Sequence, residues 1–522
     1  MAAATKDHLA DTNITLAEGC VKTKTGSKLS LEKSYAERSR SVFEFAFPPR
    51  PEGAHRERWL RDTLREAIQA GTLKPGQCLP STRDLAKSCA LSRGTVVLAI
   101  ENLRSEGYLR CTPGSGTYVA DTLPDQFINS SLRIVSRRVP LEGTARLSEF
   151  GKRVRPVSYY AKPSTIAFRV NLPALDLFPV EVWTRLASRR LSRASTSLFR
   201  GTEPQGYPQL RNAIRQHLST TRSVNCDTDQ IVITTGIQES LDLATRILVD
   251  RGDSVLMEDP GYQVAYAGFE AAGAKIIRIP IDEHGAVPPS SSSLNAKLMY
   301  VTPGHQFPTG ITMSFQRRVE LIRFAHKEKT IVFEDDYDSE FRYTGNPLPS
   351  LQSLDQHGEV IFAGSFNKTL APSLRLGYAI VPYSLLEAFK NCKMIHSRHH
   401  PMFDQVTLAE FIEEGHYNQH LRKMRQIYLE RLHVLAEELD KHLAGAMDLS
   451  PIEAGLQTIA WLRTNQDPED IASKALERNV DIIPVSRYGH GFEMRPGFQI
   501  GFAAIDGKAI ARGVQVLARL IR

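Results

Sequence analysis

Apolar positions follow three successive rhythms along the chain. Over residues 1–54 no period is sustained, and the polar run reads as a flexible tail. From His55 the rhythm turns helical. Trp59, Leu60, Leu64, Ala67 and Ile68 share one face of a stretch that Gly71 and Pro75-Gly76 stop. Ser81 sits where an N-cap belongs, ahead of a short helix carrying Leu85 and Ala86. A tight turn around Leu91 leads to Ser92, a second N-cap, and a helix expected to bury Val96, Val97, Ile100 and Leu103. RCTPGSGTYVA then reads as two strands around a Pro113-Gly114-Ser115-Gly116 turn. Helix, helix-turn-helix and β-wing over 55–120 make a small α+β module with a DNA-binding layout. Residues 121–165, rich in Ser, Arg, Val and Pro, read as a linker. Over 166–522 short apolar runs alternate with helical stretches: QIVITTG, DSVLMEDPG, AKLMYVTPG, TIVFEDD and EVIFAGS. That alternation predicts a large α/β domain with a parallel sheet covered on both faces and a ligand site beyond the strands' carboxyl ends.

Composition narrows this picture. A chain of 522 residues exceeds the size of one compact core, so two or more domains are expected. No apolar run reaches the roughly 20 residues that span a bilayer, and the N-terminus lacks a secretory apolar stretch. Six scattered cysteines without a CxxC pair argue against a metal site or a disulfide framework and fit a reducing cytoplasm. Residues 1–165 hold 26 Lys and Arg against 17 Asp and Glu, a net of +9, which leaves −2 for the rest of a chain of net charge +7. A basic module beside a near-neutral one implies a polyanionic partner for the first, or else a solvated basic surface.

Candidate chemistry falls at element ends. In the head, Ser92, Arg93 and Thr95 stand at the start of the second helix of the helix-turn-helix, where side chains reach base edges. Arg83 and Lys87, one turn apart on the preceding helix, suit phosphate. Plain solvent exposure is the competing reading of Arg83 and Arg93. In the large domain, GSFNKTLAPSLRLGY groups Ser365, Lys368 and Arg375: a hydroxyl, an amine and a guanidinium, suited to a Schiff base with an aldehyde cofactor that carries a phosphate. TIVFEDDYDSEF puts Asp335, Asp336 and Tyr337 at a strand end, where a buried carboxylate can keep a pyridine nitrogen protonated. A metal reading is disfavoured, because no nearby His or Cys completes a ligand set. The turn at Gly236, Ile237 and Gln238 offers helix-start N–H groups to phosphate, and Tyr262, past another strand, can stack on a ring.

GTLKPGQCLPSTRDLA, SRGTV, LRSEGYL and GSGTYV resemble the GntR-type winged helix-turn-helix. The resemblance implies DNA contacts from Arg83, Ser92, Arg93, Thr95 and Gly116, and a dimeric DNA-binding state. FRGTEPQGYPQLRNAI, TTGIQES, EDPGY, YVTPGHQFPTG, EDDYDSEF and SFNKTLAPSLRLGY resemble the fold-type-I aminotransferases. That likeness implies pyridoxal phosphate as cofactor, on Lys368 as Schiff base. It gives Asp335 the pyridine nitrogen, Tyr337 the ring oxygen, Tyr262 the stacking role, and Ser365 and Arg375 the phosphate. Joined head to tail, the chain resembles the MocR/GabR-like regulators. The implied function is a homodimeric, cytoplasmic transcription regulator that binds double-stranded operator DNA and senses an amine or pyridoxal phosphate itself.

Two departures weigh against turnover. The aminotransferase NPTG turn has become Phe307-Pro308-Thr309-Gly310. Where those enzymes place a carboxylate-gripping Arg stands Gln499, with Arg495 nearby as a substitute, and an amide cannot match a guanidinium fork. A working aminotransferase with a DNA-binding head is the alternative, and a cofactor-free dimerisation domain is a third reading.

Overall fold

A computed structural model describes residues 45–112, 114–123, 146–156, 167–290, 294–345, 348–492 and 494–521. The chain divides into two units, Met1–Thr144 and Ala145–Arg522. Most of the expected tail and linker, and Pro113 of the wing turn, lie outside the described residues.

In the first unit, α1 (Arg56–Gln69), α2 (Thr82–Ser88) and α3 (Arg93–Ser105) precede a hairpin of β1 (Leu109–Thr112) and β2 (Gly116–Val119). Leu60, Leu64, Leu85, Val96, Ala99 and Leu103 have no exposed surface and form its core. Val97, expected inside, is half-buried, because Val96, Ala99, Ile100 and Leu103 already fill the inward stripe of α3. The end of the expected tail is ordered against this core. Phe45 and Phe47 meet edge-on with centroids 4.9 Å apart, and Phe47 lies 6.3 Å from Trp59.

The second unit begins, within the expected linker, with α4 (Glu149–Arg153), whose Arg153 Nε donates to Ala271 O at 3.0 Å. After α5 (Val180–Ser192) and α6 (Pro208–Thr221), an eight-stranded sheet is laid down. Its members are β3 (Ile231–Thr234), β4 (Ser254–Asp259), β5 (Lys275–Asp282), β6 (Gly285–Ala286), β7 (Ala296–Val301), β8 (Ile331–Asp336), β9 (Val360–Ser365) and β10 (Gly377–Ile380). Their order is β3-β10-β9-β8-β7-β4-β5-β6. The five apolar runs read from sequence are β3, β4, β7, β8 and β9. Val255, Met257 and Phe333 face one core with α7 (Ile237–Leu248), α8 (Gln263–Ala272) and α10 (Tyr383–His396), while Leu256, Met299 and Val332 face another with α9 (Phe315–Glu328). Burial on both faces explains why these strands are apolar throughout.

The sheet is mixed, not wholly parallel as expected: β10 runs antiparallel to both β9 and β3. A parallel return needs a crossover of a dozen or more residues, usually a helix, and the link from Ser365 to Gly377 carries only a turn and a short 3₁₀ segment. Beyond α11 (Met402–Glu413) and the long α12 (His416–Leu443), a second sheet forms that the sequence reading did not anticipate. It orders β11 (Met447–Leu449), β12 (Gln457–Leu462), β14 (Gly497–Gly501) and β13 (Ile483–Pro484), with α13 (Pro468–Glu477) and α14 (Gly507–Leu520). Among the described residues no helix is long and apolar enough to cross a membrane, and no cluster of metal-ligating side chains occurs.

Candidate functional site

Beyond the carboxyl ends of β3, β4, β7, β8 and β9 lies a cavity of about 370 Å³. All nine residues expected to bind the cofactor line it, Gly236, Ile237, Gln238, Tyr262, Asp335, Tyr337, Ser365, Lys368 and Arg375, while Asp336 does not.

One end gathers groups suited to an anion. Gly236 caps α7 at φ +139, in the region that favours glycine. A Cβ there would stand 3.0 Å from Asn367 Nδ2 and 3.5 Å from Ser365 Oγ, inside a cradle made by the β3 and β9 ends. The first-turn N–H groups of α7 lack helical acceptors and carry the positive end of its dipole. Arg375, exposed and left-handed at φ +49, closes this end from the turn before β10.

At the middle, Lys368 Nζ donates to the carbonyl of Asn171 at 2.7 Å. Burial among protein atoms pushes its ammonium down to about 8, against the pull of Asp338 and Asp335. Asp335, 5% exposed, accepts from the Tyr300 hydroxyl on Oδ2 at 2.5 Å, and its buried Oδ1 has no hydrogen-bond partner. Burial pushes this carboxyl up to about 8. The Tyr300 bond opposes the shift, and the charges of Asp336, Glu258 and Asp338 add to it. Strand alternation separates the two acids. Asp336 instead accepts from Arg222 Nε at 2.9 Å, and that guanidinium is itself buried.

Aromatic side chains wall the far end. The Phe307 ring lies 5.6 Å from Tyr262, 6.0 Å from Tyr337 and 5.1 Å from Tyr488, each contact edge-on. Gln499 is fully buried behind them, where its Oε1 accepts from the Tyr488 hydroxyl at 2.7 Å. Arg495 does not stand in for the missing arginine. It bonds Asp448 at 3.0 Å and lies over the Trp461 ring, half-exposed on the smaller sheet.

Sequence reasoning missed three participants. Tyr300, which holds Asp335, is signalled only by a hydroxyl inside the apolar run AKLMYV. Asn171, at φ +61, is fixed by Gln457, which accepts from its backbone N–H at 2.7 Å across 286 positions of sequence, so no local signal exists. Glu258, pushed up to about 7 by burial, accepts from Thr302 Oγ1 at 2.6 Å and steadies the turn before Phe307.

In the head, Ser81 and Ser92 cap their helices as expected. Ser92 Oγ accepts from Thr95 N at 3.2 Å and lies 2.7 Å from Thr95 Oγ1. Arg83, Lys87, Arg93 and Gly116 are exposed, and Thr95 is half-buried. Gly116, at φ +134, begins the second wing strand.

Known proteins share both halves. Residues 164–517 match the aminotransferase class I and II family, and residues 58–119 match the gntR family of bacterial regulatory proteins. The probable rhizopine catabolism regulatory protein MocR of Rhizobium meliloti is 35% identical over 88% of this chain and 92% of its own length. The HTH-type pyridoxine biosynthesis transcriptional regulator PdxR of Corynebacterium glutamicum is 29% identical over 86% of this chain and 92% of its own. The crystal structure of LysN, an α-aminoadipate aminotransferase of Thermus thermophilus complexed with N-(5'-phosphopyridoxyl)-L-leucine, is 26% identical. It covers 72% of this chain and 96% of its own, at a TM-score of 0.64. The chain belongs to the MocR-type transcriptional regulators, a GntR-family head fused to a class I and II aminotransferase domain.

Proposed function

We propose that this regulator holds pyridoxal phosphate on Lys368 and binds operator DNA as a homodimer, with affinity set by the cofactor or by an amine that reacts with it. The observation that carries the reading is the convergence of Lys368, the unpartnered Asp335 Oδ1 and the glycine-lined cradle on one cavity.

The residues fit the cofactor's chemical groups. Gly236, Ile237, Gln238, Ser365 and Arg375 would bind the phosphate, Asp335 Oδ1 the ring nitrogen, Tyr337 the ring oxygen, and Tyr262 a ring face. When bound, the cofactor supplies an aldehyde carbon that takes up primary amines and an electron-withdrawing ring. An ammonium brought down to about 8 would leave Lys368 a useful neutral fraction near pH 7, the form in which its nitrogen is nucleophilic. Lys368 and Arg375 are the cations among the described residues lining the cavity, and Arg375 belongs to the phosphate end. A second carboxylate-gripping guanidinium is absent from those residues, which favours an amine without an α-carboxylate, or the cofactor itself, over transamination of an amino acid. The pyridoxine biosynthesis that gives the PdxR relative its name is in keeping with the latter.

The head would bind through Arg83, Ser92, Arg93, Thr95 and Gly116, and apolar side chains left on the second unit, such as Ile395 at 88% exposure, suit a second copy. The deciding measurement is the visible absorption of the full chain with pyridoxal phosphate beside Lys368→Ala. A band in the wild type that the variant lacks is expected. No band in either overturns the cofactor reading.

A further inference from the structure

A buried pair beside the cavity, His305 and Asp338, is not used by the reading above. His305 and Asp338 are 4% and 2% exposed. His305 Nδ1 lies 2.9 Å and 3.1 Å from the two Asp338 oxygens and 3.0 Å from the Tyr337 hydroxyl. One ring nitrogen therefore meets a carboxylate and a phenol together, and its hydrogen decides both contacts. A bare Nδ1 would set its lone pair against carboxylate oxygens in a buried place, where such repulsion is unscreened. Nδ1 must carry a hydrogen that Asp338 accepts, the arrangement by which a carboxylate sets a histidine tautomer. A nitrogen with a hydrogen offers no lone pair, so Tyr337 Oη faces it as acceptor, and the phenol's own hydrogen turns elsewhere. Tyr337 lines the cavity.

The fold makes room for the pair. Gly455, at φ +95, lies against the His305 ring, and a Cβ there would collide with it and stand 2.8 Å from Asp338 Oδ2. A Cβ on Gly310 would come 3.1 Å from His305 Nε2. Leu456 N donates to Asp338 Oδ2 at 3.4 Å.

We infer that Asp338 and His305 form a positioning pair that turns the Tyr337 hydroxyl hydrogen into the cavity, where it donates to the anionic ring oxygen of pyridoxal phosphate. The inference rests on the cofactor reading. Such donation favours the form in which the ring oxygen shares no neighbouring proton, so it lowers the pH midpoint at which the bound chromophore loses that proton. The other ionisable groups around it are Lys368, Asp335 and Asp338, and Asp338 loses its partner in His305 variants, so only a midpoint shift that needs the Tyr337 hydroxyl reports the lost Nδ1–H.

The test is a pH titration of the visible band of the loaded full-length protein. His305→Leu is expected to raise the midpoint by roughly one pH unit. His305→Asn, whose amide N–H reaches the Nδ1 position, should stay near wild type. His305→Gln, whose amide reaches the Nε2 position instead, should behave as the leucine variant does, and it keeps the test open if leucine fails to fold. In a Tyr337→Phe background His305→Leu or His305→Gln should add nothing. A wild type without a band would sink the cofactor reading itself. A normal band whose midpoint the Leu and Gln variants leave unmoved, or move as far without the phenol, overturns the inference and leaves His305 a packing residue.

Discussion

Asp335 holds a proton that it would shed in water, because burial raises its carboxyl from 3.8 to about 8 and Tyr300 satisfies only one oxygen. The sign for stability follows from proton counting. Between those two values the folded chain binds a proton that the unfolded chain has lost, so this group's contribution falls as pH rises. Asp335→Asn keeps the shape and cannot ionise. The cofactor-free variant should therefore gain in thermal midpoint over wild type as pH rises from about 5 to about 8. With pyridoxal phosphate present the order should reverse, since a cationic ring nitrogen rewards the ionised wild-type oxygen. An unchanged gap across that range would mean that Asp335 is ionised without the cofactor. Lys368, the Gly236 turn and the Asp335-Asp336 pair were legible in the sequence because each ends or follows an apolar strand within its own short motif, whereas the choice of Asp335 over its neighbour came from the family resemblance alone. Asn171 was not legible, because Gln457 holds it from a distant strand, and neither was His305, whose meaning depends on Asp338 and on the room left by Gly455.

Single elements show what periodicity conveys and what it omits. Ser92 illustrates an element end that serves two purposes, since its Oγ is already engaged with Thr95 N as a cap on α3 while the residue remains exposed. Removing the cap with Ser92→Ala should cost the head about 1 kcal/mol in denaturant unfolding. Ser92→Asp preserves the cap and favours the helix dipole, yet sets a negative charge toward DNA phosphate. It should keep stability and lose DNA affinity. If it binds DNA as wild type does, Ser92 is a cap alone. Arg93 is the complementary case, exposed at the first position of α3, and Arg93→Ala should relax base preference by about 1–3 kcal/mol. Equal losses on selected and random DNA would reduce it to a phosphate contact. The five core strands were legible because both their faces are buried. The antiparallel sense of β10 was not, because strand direction depends on the path of the link before it. The smaller sheet escaped notice because β13, Ile483–Pro484, is too short to show a period.

At the scale of the whole molecule, charge and chemistry are segregated: the excess of positive charge lies in residues 1–165, and the cofactor-like cavity lies in the second unit. A regulator built this way works only if the two are coupled, and coupling is a free energy that both ligands must feel equally. If pyridoxal phosphate changes affinity for a DNA fragment that the protein selects from a random pool, that fragment must change affinity for pyridoxal phosphate by the same factor. Typical coupling of about 1–3 kcal/mol corresponds to roughly 5- to 150-fold. The band of the bound cofactor makes the reciprocal side measurable by titration with and without the selected fragment. Unselected DNA of equal length controls for charge, because phosphate contacts made by the basic region carry no sequence information and weaken together as salt is raised. Equal factors on the two sides establish that cavity and head share one equilibrium. A cofactor affinity that ignores the selected fragment, while DNA affinity still tracks the cofactor, would violate linkage and reveal a change in oligomeric state hidden in one of the two titrations.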